Sequence, residues 1–236
     1  MDNQKASLFL IPTSLSDDAI HVIPEYVKEK VQKLDDFVVE NEKSARHFLK
    51  KIGYKKSLNE VCLTLLNEHT QSSEINELLK PILDGKSIGL LSEAGCPAVA
   101  DPGAELVKAA HQKNIAVIPL VGPSSVILSL MASGLNGQSF SFAGYLPKER
   151  ISRVKALKDM ERIVLTKNQT QIFIEAPYRN QHLLEDILQS CDAETMLCIA
   201  CEITGFNEFI KTKSIKEWKK KIPDINKRAV IFLLGR

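Results

Sequence analysis

Ile88-Gly89-Leu90-Leu91-Ser92-Glu93-Ala94-Gly95-Cys96-Pro97-Ala98-Val99-Ala100-Asp101-Pro102-Gly103 passes from an apolar run into small residues, glycine and proline. That change of character sets the fold class. The apolar run reads as a buried strand, and the residues after it as a tight loop in which glycine lifts the usual φ restriction. Asp101 stands as a helix N-cap, Pro102 fits the first helical position, and Leu106, Ala109 and Ala110 follow at helical spacing. In open α/β sheets ligands sit beyond the carboxyl ends of strands, so this loop is a candidate binding site. Taken alone, the same stretch is equally an ordinary strand-to-helix turn.

A second unit of the same kind follows. Ile115 to Val121 reads as a strand, Gly122-Pro123-Ser124-Ser125 as a turn, and Val126 to Ser133 as an apolar helix stopped by Gly134. Working outward, strands are expected near 7–11, 36–39, 163–166, 171–175, 196–201 and 229–234, with an extended segment at 61–66. Helices are expected near 24–33, up to Ile52, at 74–83 with a bend at Pro81, at 150–160 and at 179–189. The pattern predicts two α/β halves, 1–121 and 122–236, with no long polar linker, internal repeat or low-complexity tract.

Composition fits a globular α/β protein. With 236 residues, 44% hydrophobic and 25% charged, the chain can bury one large core or two smaller ones. No run reaches the roughly 18 apolar residues of a membrane span, and the Met-Asp-Asn-Gln-Lys start lacks the apolar core of a signal peptide. A cytoplasmic protein is expected, and five cysteines, an odd number, fit a reducing compartment. Cys198 and Cys201 have metal-ligand spacing, but they sit in an expected strand without a second pair and read as core residues. His21, His47, His69, His111 and His182 are scattered and form no ligand motif, so no metal site is expected.

A third motif, Phe142-Ala143-Gly144-Tyr145-Leu146-Pro147, follows the first two in order. Together they resemble the tetrapyrrole methylase superfamily of S-adenosylmethionine-dependent methyltransferases, and within it the bacterial 16S ribosomal RNA ribose 2′-O-methyltransferase branch. That branch carries Ser-Asp-Ala-Gly-x-Pro with Asp-Pro-Gly, then Pro-Gly-Pro-x-x-Ala, then aromatic-x-Gly-aromatic-Leu-Pro. More weakly, Ile172-Phe173-Ile174-Glu175-Ala176-Pro177-Tyr178-Arg179 stands in place of Tyr-Glu-Ser-x-His-Arg, and Ala200-Cys201-Glu202-Ile203-Thr204 in place of Ala-Arg-Glu-Leu-Thr. The chain departs from the branch near its start. Pro12-Thr13-Ser14-Leu15-Ser16-Asp17-Asp18 replaces Pro-Thr-Pro-Ile-Gly-Asn-Leu, and Glu40-Asn41-Glu42-Lys43-Ser44-Ala45-Arg46 replaces a compact Glu-Asp-Thr-Arg. Both departures fall in the half that faces substrate in the family.

The resemblance implies a two-domain tetrapyrrole-methylase-like α/β fold with the cofactor cleft between the domains, and a homodimer. It implies S-adenosylmethionine contacts from Ser92, Glu93, Gly95, Pro97, Val99, Ala100 and Asp101, and from Gly122, Ser124 and Ser125. Ala176, Pro177 and Ala200 are further contacts by the second-half alignment. Methyl transfer from a sulfonium is an in-line displacement in which positioning supplies much of the acceleration, so no covalent nucleophile is needed. Ser124 and Ser125 open a helix whose N-terminus favours an anion. Glu93, Glu175 and Glu202 end strands and are candidate proton acceptors, although Glu175 and Glu202 read first as structural hydrogen-bond acceptors. Arg179 suits either a substrate phosphate or a nearby acid.

Charge is unevenly spread. Residues 148–167 carry a net +4 and residues 211–221, around the single Trp218, a net +5, leaving −7 elsewhere in a chain of net +2. Such segments serve as phosphate-backbone footprints or as solvated faces. The expectation is a 2′-O-methyltransferase acting on ribosomal RNA or the small ribosomal subunit. A methylase of a tetrapyrrole or other small molecule, and a non-enzymatic RNA-binding assembly factor, are the alternatives.

Overall fold

The computed structural model describes residues 5–67 and 70–236. The first four residues, which carry most of the leading-segment reading, and His69 lie outside the described residues. The chain divides into two compact units, Met1–Ser124 and Ser125–Arg236. The division falls inside the turn at 122–125 rather than ahead of it.

The first unit runs β1 (Ser7–Ile11), α1 (Glu25–Val31), β2 (Asp36–Val39), α2 (Glu42–Lys51), β3 (Cys62–Leu65), α3 (Ser72–Ile75), α4 (Lys80–Leu83), β4 (Ile88–Leu91), α5 (Gly103–Gln112) and β5 (Ala116–Pro119). The five strands pair in the order β3-β2-β4-β1-β5, all parallel. Their side chains alternate between two cores. Phe9, Ile11, Phe37, Val39 and Leu91 pack with Val27 and Val31 of α1 and Phe48 and Leu49 of α2. Leu8, Val38, Ile88 and Leu90 pack with Leu79, Ile82 and the Leu106, Ala109 and Ala110 stripe of α5. Burial on both faces is why the inner strands β1, β2 and β4 read as apolar runs rather than alternating ones.

The second unit runs α6 (Ser125–Ser133), β6 (Phe140–Tyr145), α7 (Arg150–Lys167), β7 (Thr170–Ile174), α8 (Asn180–Ser190), β8 (Met196–Cys201), β9 (Phe209–Ser214), α9 (Ile215–Trp218) and β10 (Val230–Gly235). Its sheet has the order β6-β7-β10-β8-β9, with β6 and β7 parallel and the other pairs antiparallel. Leu157, Met160 and Val164 of α7 and Leu183, Leu184 and Ile187 of α8 pack on Phe173, Ile199 and Phe232 of the sheet. The Phe173 and Phe232 rings stack at 5.8 Å. Among the described residues no helix is long and apolar enough to cross a membrane.

Three expectations are corrected. The strand expected at 163–166 is the last turn of α7. Its β-branched residues suggested a strand, but Arg153, Leu157, Met160 and Val164 are buried at helical spacing, and the helix ends only at Asn168, in the left-handed region at φ 50°. The expected helix at 74–83 is α3, a 3₁₀ turn at Glu77–Leu79, and α4. Pro81 stands in the first turn of α4, where its missing N–H costs nothing, so the break precedes the proline. Strands β6 and β9 went unread because both are edge strands with mixed patterns. Phe140 and Tyr145 are exposed on β6, and lysines alternate along β9.

Candidate functional site

Helices α1 and α2 cover one face of the first sheet and α5 the other, so the connections leaving the adjacent strands β1 and β4 diverge. A crevice opens beyond the carboxyl ends of such a strand pair. The chain fills its floor with its own loops. Thr13, after β1, and Gly95, after β4, exchange two backbone hydrogen bonds of 2.9 and 3.2 Å, an isolated antiparallel bridge at the end of a parallel sheet. The Ser92 hydroxyl donates to the Gly95 carbonyl at 3.2 Å, and the Cys96 thiol to the Pro123 carbonyl at 3.4 Å, which ties in the loop after β5. Beside this floor lies a cavity of about 640 Å³ lined by Thr13 to Asp17, Glu93, Ala94 and the α2 residues Lys43, Ser44, His47, Phe48 and Lys51.

The loop after β4 holds a costly backbone. Gly95, Ala98 and Ala100 all have positive φ, at 78°, 65° and 63°, and an alanine there is strained. Asp101 compensates. Its Oδ1 accepts the backbone N–H groups of Ala98 and Gly103, each at 2.8 Å, so it closes the loop and satisfies the first N–H of α5, although the helix starts at Gly103 and its N-cap position falls on Pro102 rather than on Asp101 as expected. Its Oδ2 is buried and has no hydrogen-bond partner among the described residues. Burial pushes the Asp101 carboxyl above the usual carboxylate value, against the two backbone bonds. Burial likewise raises Glu40, after β2, with Asp101 and Glu93 adding repulsion, although Glu40 accepts the Glu93 N–H at 3.2 Å. The Ser44 hydroxyl donates to Glu93 Oε1 at 3.2 Å. Two strand ends and the start of α5 thus gather three carboxylates, two of them inclined to hold a proton. On the cavity's outer wall, His47 and Lys51 pair with Asp17 at 3.3 and 3.1 Å.

Of the residues implied by resemblance, Ser92, Glu93, Gly95, Pro97, Val99, Ala100, Asp101, Gly122 and Ser124 come together in the first unit, at the ends of β4 and β5. Val99 is half exposed and Ala100 exposed, whereas Ser92, Gly95 and Pro97 are buried. Gly122 has a steric reason of its own: a Cβ there would fall inside the Pro12 ring. Ser125 opens α6. Ala176 and Pro177 lie on the turn after β7, and Ala200 is 1% exposed inside β8, opposite Ile210 and Ile231. Glu40 is the residue that sequence reasoning missed. Its signal was a carboxylate directly after a strand, as at Glu93, hidden because the segment departs from the family pattern.

In the second unit the candidate acids are engaged. Glu175, with its side chain 1% exposed, pairs with Arg179 and accepts the Ala176 N–H at 2.7 Å. Glu202, at φ 48°, pairs with Arg228 at 2.8 Å. Arg153 of the basic helix is buried against Asp186, and Lys213 of β9 lies 4.8 Å from the Trp218 ring centre. Cys198 and Cys201 are buried, and burial pushes the Cys201 thiol up to about 11. Among the described residues no group of histidines, cysteines and carboxylates has the arrangement of a metal site.

No family model matches the chain. It is 33% identical to the ribosomal RNA small subunit methyltransferase I of Buchnera aphidicola subsp. Schizaphis graminum, over 98% of this chain and 79% of that one. With the protein of the same name from Escherichia coli O157:H7 it shares 30%, over 99% and 79%. The match to that of Vibrio cholerae serotype O1 is 38% identical, over 64% of this chain; it spans about half, 51%, of that protein's length. Among solved structures, the methyltransferase CobJ superposes with a TM-score of 0.65 at 14% identity, covering 98% of this chain and 94% of that one. The cobalt precorrin-4 methyltransferase CbiF gives 0.62 at 11%, covering 100% and 97%. At these identities the structures show the fold alone, a two-domain methylase architecture.

Proposed function

The chain belongs to the ribosomal RNA small subunit methyltransferase I family, and from that premise we propose that it transfers a methyl group from S-adenosylmethionine to a ribose 2′-hydroxyl of small-subunit ribosomal RNA. The observation that carries this reading is the 33% identity along 98% of the chain.

The loops at the ends of β4 and β5 fit the cofactor. They offer buried backbone, small side chains, and a carboxylate whose Oδ2 lacks a partner among the described residues. When bound, the cofactor supplies an electrophilic methyl on a sulfonium. The chain's own task is to hold the acceptor oxygen in line, exclude water and take up a proton. In this reading Ser92 to Asp101 and Gly122 to Ser125 hold the cofactor, and Ala176, Pro177 and Ala200 complete the contacts. Glu93, fixed by Ser44 and by Glu40, accepts a hydrogen bond from the acceptor hydroxyl. Glu40, its carboxyl raised by burial, is matched to shuttle that proton nearer neutrality than an exposed carboxylate. The protein works as a homodimer in the cytoplasm, with the small subunit as its partner.

The test is to incubate the protein with methyl-labelled S-adenosylmethionine and small-subunit RNA or subunits from a strain lacking the gene, and then to map nucleosides by mass spectrometry. A single 2′-O-methylated nucleotide is expected. Label on a base, or on a small-molecule acceptor only, overturns the reading. Cofactor binding without turnover on any RNA substrate favours an assembly factor.

A further inference from the structure

The segment ending at Pro147 has no part in the reaction as described, and of residues 172–179 only Ala176 and Pro177 do. Within the second unit they meet. A cavity of about 420 Å³ opens between the start of α7 and the start of α8, and Lys148, Arg150 and Arg153 line it together with Glu175, Arg179 and His182. Counting Glu185 and Asp186 as well, four permanent cations face three carboxylates, a net +1 with histidine neutral.

Asp186 and Glu175 are not open to a ligand, because they brace the arginines from behind, whereas Glu185, its side chain half exposed, lies 3.7 Å from His182 Nδ1. Asp186, with its side chain 6% exposed, accepts Arg153 Nε at 2.9 Å and Nη2 at 2.6 Å, and also Arg150 Nε at 2.8 Å. Arg153 Nη1 donates to the Lys148 carbonyl at 2.7 Å, which fixes the backbone that presents Lys148. Arg150 Nη2 reaches Gln189 at 2.8 Å. Glu175 anchors Arg179, whose Nε is buried with no hydrogen-bond partner among the described residues. Burial works against the Asp186 charge, yet the arginines hold its carboxyl below the usual value, so the brace stays ionised near neutrality. A guanidinium held at one edge presents its remaining N–H groups in a set direction, the arrangement that suits a tetrahedral oxyanion.

We propose that this cavity seats one phosphate group of the substrate RNA backbone, bound by Lys148, Arg150 and Arg179. The proposal rests on the RNA reading above and adds a discrete anchoring point distinct from the crevice where the methyl is transferred. A free phosphate compound would meet the same chemistry, and the experiment separates the two sources.

Lys148→Gln and Arg150→Gln change exposed side chains in the full chain, with Lys219→Gln on the other basic segment as a comparison. Binding of a small-subunit RNA fragment is titrated at several salt concentrations, and inorganic phosphate is titrated separately by thermal shift. Because three cations share one phosphate, each cavity variant is expected to lower the slope of log affinity against log salt by part of the roughly 0.7–0.9 that one lost phosphate contact is worth, and the double variant by more. Calorimetric affinity for S-adenosylmethionine should be unchanged, and protection by inorganic phosphate should weaken. Unchanged slopes in both variants, with methylation of RNA by the unmodified protein intact, overturn the cavity proposal and leave the RNA reading standing. If the variants lose phosphate protection but keep the RNA slope, the cavity serves a free anion and the RNA assignment is overturned. If the unmodified protein methylates no RNA, the reading beneath it fails first.

Discussion

Replacing Gly103 with alanine tests whether Asp101 holds the loop after β4. A Cβ at Gly103 would lie 2.8 Å from Asp101 Oδ1, 2.8 Å from the Leu90 Cδ2 methyl and 3.2 Å from the Ala98 nitrogen. Leu90 can rotate a methyl away, but the carboxylate oxygen and the Ala98 nitrogen are bonded to each other at 2.8 Å and must move together. Overpacking of this kind costs about 1–3 kcal/mol. Better helix propensity returns less than about 1 kcal/mol, because the position is at the helix start. A net loss of about 2 kcal/mol is therefore expected, or a Tm lower by roughly 4–8 °C for a chain of this size. Asp101→Ala alone should cost about 2 kcal/mol, since two charge-assisted hydrogen bonds are lost while a desolvated charge is relieved. In the double variant the colliding oxygen is gone, so the total should fall at least about 1 kcal/mol short of the sum. Urea unfolding of the four proteins of the cycle measures this, with calorimetry of S-adenosylmethionine alongside. Costs that add within about 0.5 kcal/mol would refute the idea that Gly103 is glycine to make room for the Asp101 carboxylate.

Asp186→Asn leaves the buried Arg153 without its counter-charge and should destabilise the second unit by about 3 kcal/mol. Because the Asp186 carboxyl is held below its ordinary value, its contribution is present above that ordinary value, near 3.9, and is lost as pH falls through the lower folded value. Acid unfolding of the variant should lack that increment. Burial pushes the Cys191 thiol up to about 12, that of Cys201 to about 11, and those of Cys96 and Cys198 upward. Iodoacetamide at pH 8 should therefore label the exposed Cys62 first, and Cys191, Cys198 and Cys201 only after unfolding, as read by peptide mass mapping. Chelator treatment of the protein should leave methyl transfer intact on RNA refolded with magnesium; loss of activity restored only by metal added to the protein would contradict this.

The first unit was legible because its inner strands β1, β2 and β4 are buried on both faces and bounded by punctuating residues, so Ile88–Leu91 and Ser7–Ile11 could be read without knowing their partners. The second unit was less so. Its edge strands β6 and β9 carry exposed Phe140, Tyr145 and alternating lysines, whose meaning depends on β7 and β8 lying alongside. Val164 reads as a strand residue in its own tetrapeptide and as a helix residue only in the longer stripe from Arg153. At the candidate site, the loop glycines and Asp101 announced themselves, but the reasons for them did not. Pro12, which excludes a side chain at Gly122, is 110 residues away in sequence. Glu40 became visible as a site residue only when its hydrogen bond brought it to Glu93.

The strand order of the first unit governs when it can form during synthesis. β1 lies between β4 and β5, with Leu8 opposite Ile88 and Ser7 opposite Ala116. The earliest strand of the sheet must therefore wait for β4 before its first edge is covered, and for β5, the latest, before its second. At the usual pace of roughly 5–20 residues per second, that wait lasts about 5–20 seconds after β1 leaves the ribosome. Until β4 emerges, Leu8, Phe9, Leu10 and Ile11 have no partner strand on either side, and β2 and β3 can pair only with each other. The residues that build the crevice floor meet only once β4 and the loop after it have emerged, so a chain halted before residue 88 carries β1 with both edges open and no binding loop, and becomes a ready client for chaperones.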